Sequence, residues 1–391
     1  MRKNYKEFWL CKMMLDLIIG FSVIVLLIRK KVNYGLSMIL GGIIMGIIDR
    51  FNTSDFYFVV QKTLSYPTLR LILIVLMINI LGYLLREFGQ IERALGDLRF
   101  LGSKSILVLI PLVFGLMPMP GGALVSAPII DPEASKLNLS PERKTFINFW
   151  FRHVIFFIFP LSTGIILASE LGNISVYRII FYQLPFFFIA VILGFWKIRD
   201  IKNENKGGKP SIMFIWYLLP IILVIILNIL FGLDFIYGLI LAIFLVFVQN
   251  RSKNFKMIPK GFSYNLALAI FGIMFFRFTV ERTDVMESFL VDWVPKEVLL
   301  VFVPWIIGMA TGLNMAAIGI SFPVLLPLID SPVYVSILYV SCVLGYLSSP
   351  LHLCLIVTNE YFKSKLGKVY RLFFPLLLIL LLCNLIYAYL V

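Results

Sequence analysis

Uncharged apolar runs of roughly 17–25 residues recur along this chain, each able to cross a hydrocarbon layer about 30 Å thick as a helix rising about 1.5 Å per residue. Hydrophobic residues make up 60% of the sequence, and the mean hydropathy is +0.96. Soluble domains sit nearer 45–50% apolar. A backbone in lipid must close its own hydrogen bonds, so helices and closed barrels are the only spanning options. The alternating segments of about ten residues that mark a barrel strand are absent. The expected fold class is an all-α polytopic membrane protein. About ten transmembrane helices are predicted, at 9–28, 32–48, 64–85, 145–169, 175–196, 211–231, 233–249, 262–280, 333–358 and 369–390.

Between these helices lie two turn-rich blocks that resemble each other. Pro111 and Gly115 lead into Pro118-Met119-Pro120-Gly121-Gly122, followed by Ser126 and Pro128. Pro304 and Gly308 lead into Thr311-Gly312-Leu313-Asn314, followed by Ser321 and Pro323. Further on, 160–170 lines up without gaps on 350–360. Each block, 105–130 and 298–329, has apolar arms of about a dozen residues, and such an arm covers about 18 Å, short of the hydrocarbon core. Two re-entrant hairpins are expected. Loop charge agrees: with both blocks re-entrant, one side of the membrane receives 23 Lys/Arg and the other 10, against 19 and 14 if both crossed. The basic side is cytoplasmic by the positive-inside bias. Five crossings per half then put the two copies in opposite orientations, as inverted repeats over 1–196 and 212–391. The polar linker 197–211 is cytoplasmic and the N-terminus outside. Interrupted apolar segments at matching places in two halves are the sequence mark of a secondary transporter.

The candidate site follows from the interruptions. A helix broken at mid-depth leaves N–H and C=O groups that protein, water or a ligand must satisfy. Pro160, with Ser162 and Thr163, marks one break, and Ser348-Ser349-Pro350-Leu351-His352 the other. The hairpin tips supply Pro120, Gly121, Gly122 and Ser126 on one side, and Thr311, Gly312, Asn314 and Ser321 on the other. Half-helix N-termini suit an anion, while unwound carbonyls and the opposite helix ends suit Na⁺. Ionisable residues inside spans are expensive and therefore functional candidates. Those here are Arg152, His153 and His352, with Arg277 late in its helix and Glu170 and Glu360 at the far ends of the broken helices, as rim or gate. Thr358 and Asn359 complete the set. No Asp or Glu falls at the centre of a predicted span, so the interior is cationic. An anionic substrate is expected, with Na⁺ or H⁺ as the coupling ion.

The remaining features exclude alternatives. The net charge of +14 fits basic loops meeting anionic headgroups in a cell membrane, not nucleic acid. Cys11, Cys342, Cys354 and Cys383 lie in or beside apolar segments without metal-ligand spacing, and two histidines do not make a His-rich metal centre. No phosphate loop, dinucleotide fingerprint or zinc-protease motif is present, and Ser126 with His153 lacks a nucleophile motif, so no enzyme and no cofactor are expected. The basic N-terminus lacks a small-residue cleavage site and is taken as the first helix.

The segment from Phe114 to Pro128, then Phe149-Trp150-Phe151-Arg152-His153, Ser349-Pro350-Leu351-His352-Leu353 and Thr358-Asn359-Glu360 resemble the prokaryotic membrane family called domain of unknown function 401. That family is grouped with the ion transporter superfamily, which includes divalent anion/sodium symporters. The resemblance implies a scaffold, a mobile transport domain carrying two hairpins, elevator-type alternating access and a homodimer. The Ser-Asn-Thr tips of the dicarboxylate symporters are not matched here. The function expected is uptake or export of a small organic anion, with an ion exchanger or inorganic-anion permease on the same scaffold as the alternative.

Overall fold

Residues 19–116, 122–203, 211–283 and 294–391 are described by the structure, a computed structural model. Their regular elements are helices, as apolar runs that must satisfy their own backbone require. The first half holds α1 (Ile19–Arg29), α2 (Tyr34–Ile48), α3 (Thr53–Thr63), α4 (Tyr66–Glu87), α5 (Gln90–Asp97), α6 (Ser103–Gly115), α7 (Ala123–Lys136), α8 (Pro141–Val154), α9 (Thr163–Gly172) and α10 (Val176–Lys197). The second holds α11 (Met213–Phe231), α12 (Phe235–Gln249), α13 (Tyr264–Arg282), α14 (Lys296–Thr311), α15 (Asn314–Leu325), α16 (Pro332–Ser348), α17 (Leu353–Phe362) and α18 (Leu366–Leu390).

Six stretches among the described residues are long and apolar enough to cross a membrane: α4, α10, α11, α13, α18 and the run Pro332–Phe362 that α16 and α17 share. Outward-facing Leu230, Phe231, Tyr237 and Phe244 on α11 and α12 are exposed, as a lipid-facing surface requires. The chain is a membrane-embedded helical protein. The sequence reading left 53–63 and 90–97 as loops; both are helical. In α3 the cause is local, a capping box in which Asn52 Oδ1 accepts from the Asp55 amide and Asp55 Oδ2 accepts from the Asn52 amide, each at 3.0 Å.

Helix packing sorts the elements into two groups. In the first, α13 lies against α2, α3 and α4, while α12 joins α4 to α11 and α11 meets α5. In the second, α6 and α7 form a helical hairpin on α8, and α14 and α15 form another on α16, with α17 and α18 against α8. The groups meet chiefly where α13 packs on α15.

Within the second group the same order of elements occurs twice: a hairpin, an interrupted helix, an unbroken helix. The likeness extends to detail. Both α9 and α17 are 10 residues long and end on a residue with left-handed backbone, Asn173 at φ 49° and Lys363 at φ 53°. These are the positions that the gapless alignment of 160–170 on 350–360 pairs when it is carried three residues further.

Backbones touch where glycines allow it. A Cβ on Gly345 of α16 would stand 2.2 Å from the Trp305 carbonyl oxygen of α14, and one on Gly272 of α13 would stand 2.3 Å from the Gly35 carbonyl oxygen of α2. Close backbone approach of this kind is the usual basis of helix association in lipid. Gly345→Ala is expected to cost about 1–3 kcal/mol through overpacking, seen as a lower unfolding midpoint in detergent. Gly367→Ala, where nothing lies within 4 Å of the added methyl, is expected to be neutral or slightly stabilising.

Candidate functional site

Two interruptions define the site. The helix predicted over 145–169 ends as α8 at Val154, tightens into a 3₁₀ turn over Ile155–Phe157, and resumes only at Thr163. Pro160 has no amide hydrogen, and the freed groups close locally: the Ile158 and Phe159 amides donate to the Ile155 carbonyl at 3.0 Å, and the Ser162 amide to Phe159 at 2.9 Å. The helix predicted over 333–358 stops at Ser348 and restarts at Leu353. Its hydroxyls are engaged. Ser348 Oγ donates to the Leu344 carbonyl at 2.8 Å and accepts from Trp305 Nε1 at 3.2 Å. Ser349 Oγ donates to the Met309 carbonyl at 2.7 Å and accepts from the Leu351 amide at 3.1 Å.

The hairpins converge on these breaks. A Cβ on Gly115 would stand 2.2 Å from the Arg152 carbonyl oxygen, and one on Gly122 would stand 2.3 Å from Arg152 Nη2. The second tip reaches both breaks: a Cβ on Gly312 would meet Leu351 at 2.8 Å, and one on Gly164 would meet Asn314 Nδ2 at 2.6 Å. Gly312 is also left-handed, at φ 66°, where a side chain would be strained. Four elements far apart in sequence thus meet at contact distance.

They enclose a cavity of about 430 Å³. The second packing group lines it with Arg152, His153, Ser162, Thr163, Asn314 and Cys354, among apolar neighbours. The first group closes it with Tyr34, Asn79, Ser263 and Asn265. Tyr34 links the two, donating from Oη to the Met315 carbonyl at 3.2 Å.

Arg152 is the dominant charge. It is 2% exposed, and its Nε and Nη1 meet no hydrogen-bond partner among the described residues. Next to it, the rings of His153 and His352 lie 4.7 Å apart, and Tyr346 stacks on His352 at 3.9 Å. His352 does not line the cavity; it sits one ring behind His153.

Other predicted residues hold the site together. Ser126 Oγ donates to Asn148 Oδ1 at 2.6 Å, and Asn148 Nδ2 donates to the Ala123 carbonyl at 3.1 Å and to Thr358 Oγ1 at 3.3 Å. That buried relay ties α7, α8 and α17 together, and it turns Ser126 away from any pairing with His153. Asn359 Oδ1 accepts from Ser364, whose hydroxyl meets Thr145 at 2.8 Å, away from the cavity. Thr311 Oγ1 donates to the Ile307 carbonyl at 2.9 Å on its own helix, and Ser321 is buried on α15. Glu170 lies 3.9 Å from Arg70, which also pairs with Asp234. Arg277 is half-buried with its guanidinium 5.5 Å from the Phe278 ring centre, and Glu360 is exposed. Pro120 and Gly121 lie outside the described residues.

The sequence reading missed Asn148, Tyr346 and Cys354. Asn148 had a signal: it lies four residues before Arg152, on the same helix face. Tyr34, Asn79 and Asn265 had none, because they come from helices whose proximity only the fold supplies.

No curated protein matches the chain. Residues 14–391 match the model of a family described as protein of unknown function DUF401, and the chain belongs to that family.

Proposed function

We propose that this chain is a secondary active transporter that moves a small organic anion, coupled to Na⁺ or H⁺. The observation that carries this reading is a buried guanidinium, without a counterion among the described residues, in the wall of a cavity built from both halves of the chain. A buried charge with no partner is destabilising by several kcal/mol. A carboxylate or similar group entering the cavity would relieve that. The N-termini of α9 and α15 open onto the same cavity through Thr163 and Asn314, adding positive dipole ends and free amides. A volume of about 430 Å³ suits an organic solute better than a bare inorganic ion.

The membrane arrangement is part of the proposal. The hairpin arms α6, α7, α14 and α15 hold 13, 14, 16 and 12 residues. At about 1.5 Å per residue these reach roughly 18–24 Å, short of a core about 30 Å thick, which supports re-entrance. The repeated order of hairpin, broken helix and unbroken helix supports two inverted repeats. The second packing group is the mobile unit and the first the scaffold, with lipid on the exposed faces of α11 and α12. The linker 197–211 is cytoplasmic.

Reconstituted into liposomes, the purified chain is expected to accumulate an organic anion under an imposed Na⁺ or pH gradient. Arg152→Ala should abolish that uptake while the protein remains folded and membrane-inserted; uptake unchanged in that variant removes Arg152 from the site. A thermal-shift screen against organic acids should find a ligand that stabilises the wild type by about 2.7 kcal/mol at a hundred times its Kd, with the shift lost in Arg152→Ala. For topology, a single cysteine at Lys296 should react with an impermeant maleimide from outside whole cells, and one at Lys144 only after permeabilisation. The reverse pattern inverts the orientation.

A further inference from the structure

We propose that His153, His352 and Cys354 form a binding site for one borderline-soft divalent metal ion of the zinc type, open toward the cavity. The sequence holds only two histidines, and the fold brings both together from opposite halves. One ring nitrogen from each and the Cys354 sulfur lie within 4.8 Å of one another. All three residues are buried, at 1%, 0% and 5% exposure.

Both rings are anchored through one nitrogen on a backbone carbonyl. His153 Nδ1 lies 2.6 Å from the Phe149 carbonyl oxygen, and His352 Nδ1 lies 3.2 Å from that of Tyr346. A carbonyl can only accept, so each Nδ1 carries the hydrogen. Each Nε2 of a neutral ring then carries a lone pair, and neither Nε2 has a hydrogen-bond partner among the described residues. Metal-bound histidines characteristically fix their tautomer by this bond from the other nitrogen to a backbone carbonyl. Buried nitrogen lone pairs without donors are costly, and a metal ion is the partner that satisfies two at once.

Zinc takes nitrogen at about 2.0–2.1 Å and thiolate at about 2.3 Å, which puts donors in a tetrahedral site roughly 3.3–3.6 Å apart. The three groups therefore need to draw in by up to about 1.5 Å, which side-chain rotations can supply. Three protein ligands leave a fourth position open. His153 and Cys354 both line the cavity, so the ion has an entry path and the open position faces the space beside Arg152. The thiolate offsets half the charge of a divalent ion. The remaining positive charge adds to that of Arg152 and favours an anion as fourth ligand.

The site stands independently of transport, because its readout is metal bound per chain. The full chain is purified in detergent under reducing conditions with any affinity tag removed, then titrated with zinc and, as a spectroscopic stand-in, with cobalt(II). The expected result is one zinc per chain. Cobalt should give tetrahedral ligand-field bands and a sulfur-to-cobalt charge-transfer band in the near ultraviolet. Cys354→Ser, a near-isosteric change, should abolish the charge-transfer band. A variant with Cys11, Cys342 and Cys383 all changed to Ser should keep it. His352→Ala should weaken zinc binding by more than about 100-fold, since a ligand is lost and not merely its support. Failure of the wild type to bind zinc overturns the proposal. So does a charge-transfer band that survives Cys354→Ser, or unchanged affinity in a His352→Ala protein that elutes as a single sharp peak.

Discussion

Arg152 sits where a helical membrane protein can least tolerate it, at the end of α8, nearly sealed from solvent and without an ion pair among the described residues. Much of the surrounding architecture accommodates that one group. Gly122 has no Cβ because the guanidinium occupies the space a Cβ would need, and Gly115 brings the first hairpin onto the Arg152 carbonyl. Asn148, one turn earlier, holds α7 and α17 in register through Ser126 and Thr358. This relay is a buried polar tether from the first hairpin to the second broken helix. In a low-dielectric interior such a network is worth having only when nearly every member is satisfied, and its hydroxyls are.

The two halves solve one problem with different side chains. Each presents a proline-broken helix and a hairpin, and each broken helix restarts for ten residues before a left-handed cap. This much was legible in the sequence, because proline, glycine and their spacing act directly on the backbone. Pro160 and Pro350 remove a donor wherever they sit, and the register of 160–170 on 350–360, continued three residues, pairs the two caps. The chemistry of the two breaks was less legible. Ser348 and Ser349 look like ligands in the sequence, yet their hydroxyls satisfy Leu344 and Met309 carbonyls at the break itself. A hydroxyl beside a proline can serve its own chain or a guest, and local spacing does not distinguish these.

What the sequence could not supply was the meeting of distant elements. His153 and His352 read as separate functional candidates on two different predicted helices; packing of α17 on α8 makes them neighbours. Cys354 read as a small apolar residue, and its position two residues after His352 at the start of α17 turns it toward the same cavity. The opposite wall of the cavity, Tyr34, Asn79 and Asn265, had no pattern at all. By contrast, that no Asp or Glu falls at the centre of a predicted span was readable at once. Absence of a residue type is a whole-chain property and needs no contact map.

The boundary between the two packing groups is what elevator-type motion would need. Its main contact, α13 on α15, is apolar and close: a Cβ on Gly319 would meet Ile273 at 2.7 Å and the Tyr34 hydroxyl at 2.9 Å. Polar bonds across it are sparse among the described residues. Tyr34 donates to Met315, Tyr177 Oη donates to Asn228 Oδ1 at 2.6 Å, and Arg70 stands 3.9 Å from Glu170. A partly exposed ion pair of that length is worth no more than about 1 kcal/mol, and each neutral bond about the same. Sliding the hairpin group along the other group, as the proposed motion requires, would therefore break few specific bonds among the described residues. The dispersion contacts that hold α15 on α13 are non-directional and can re-form at a new register. The polar groups that the first packing group turns toward the cavity, Tyr34, Asn79, Ser263 and Asn265, lie beside this apolar contact, so under the proposed motion the α13–α15 seam and the cavity wall would move as separate surfaces.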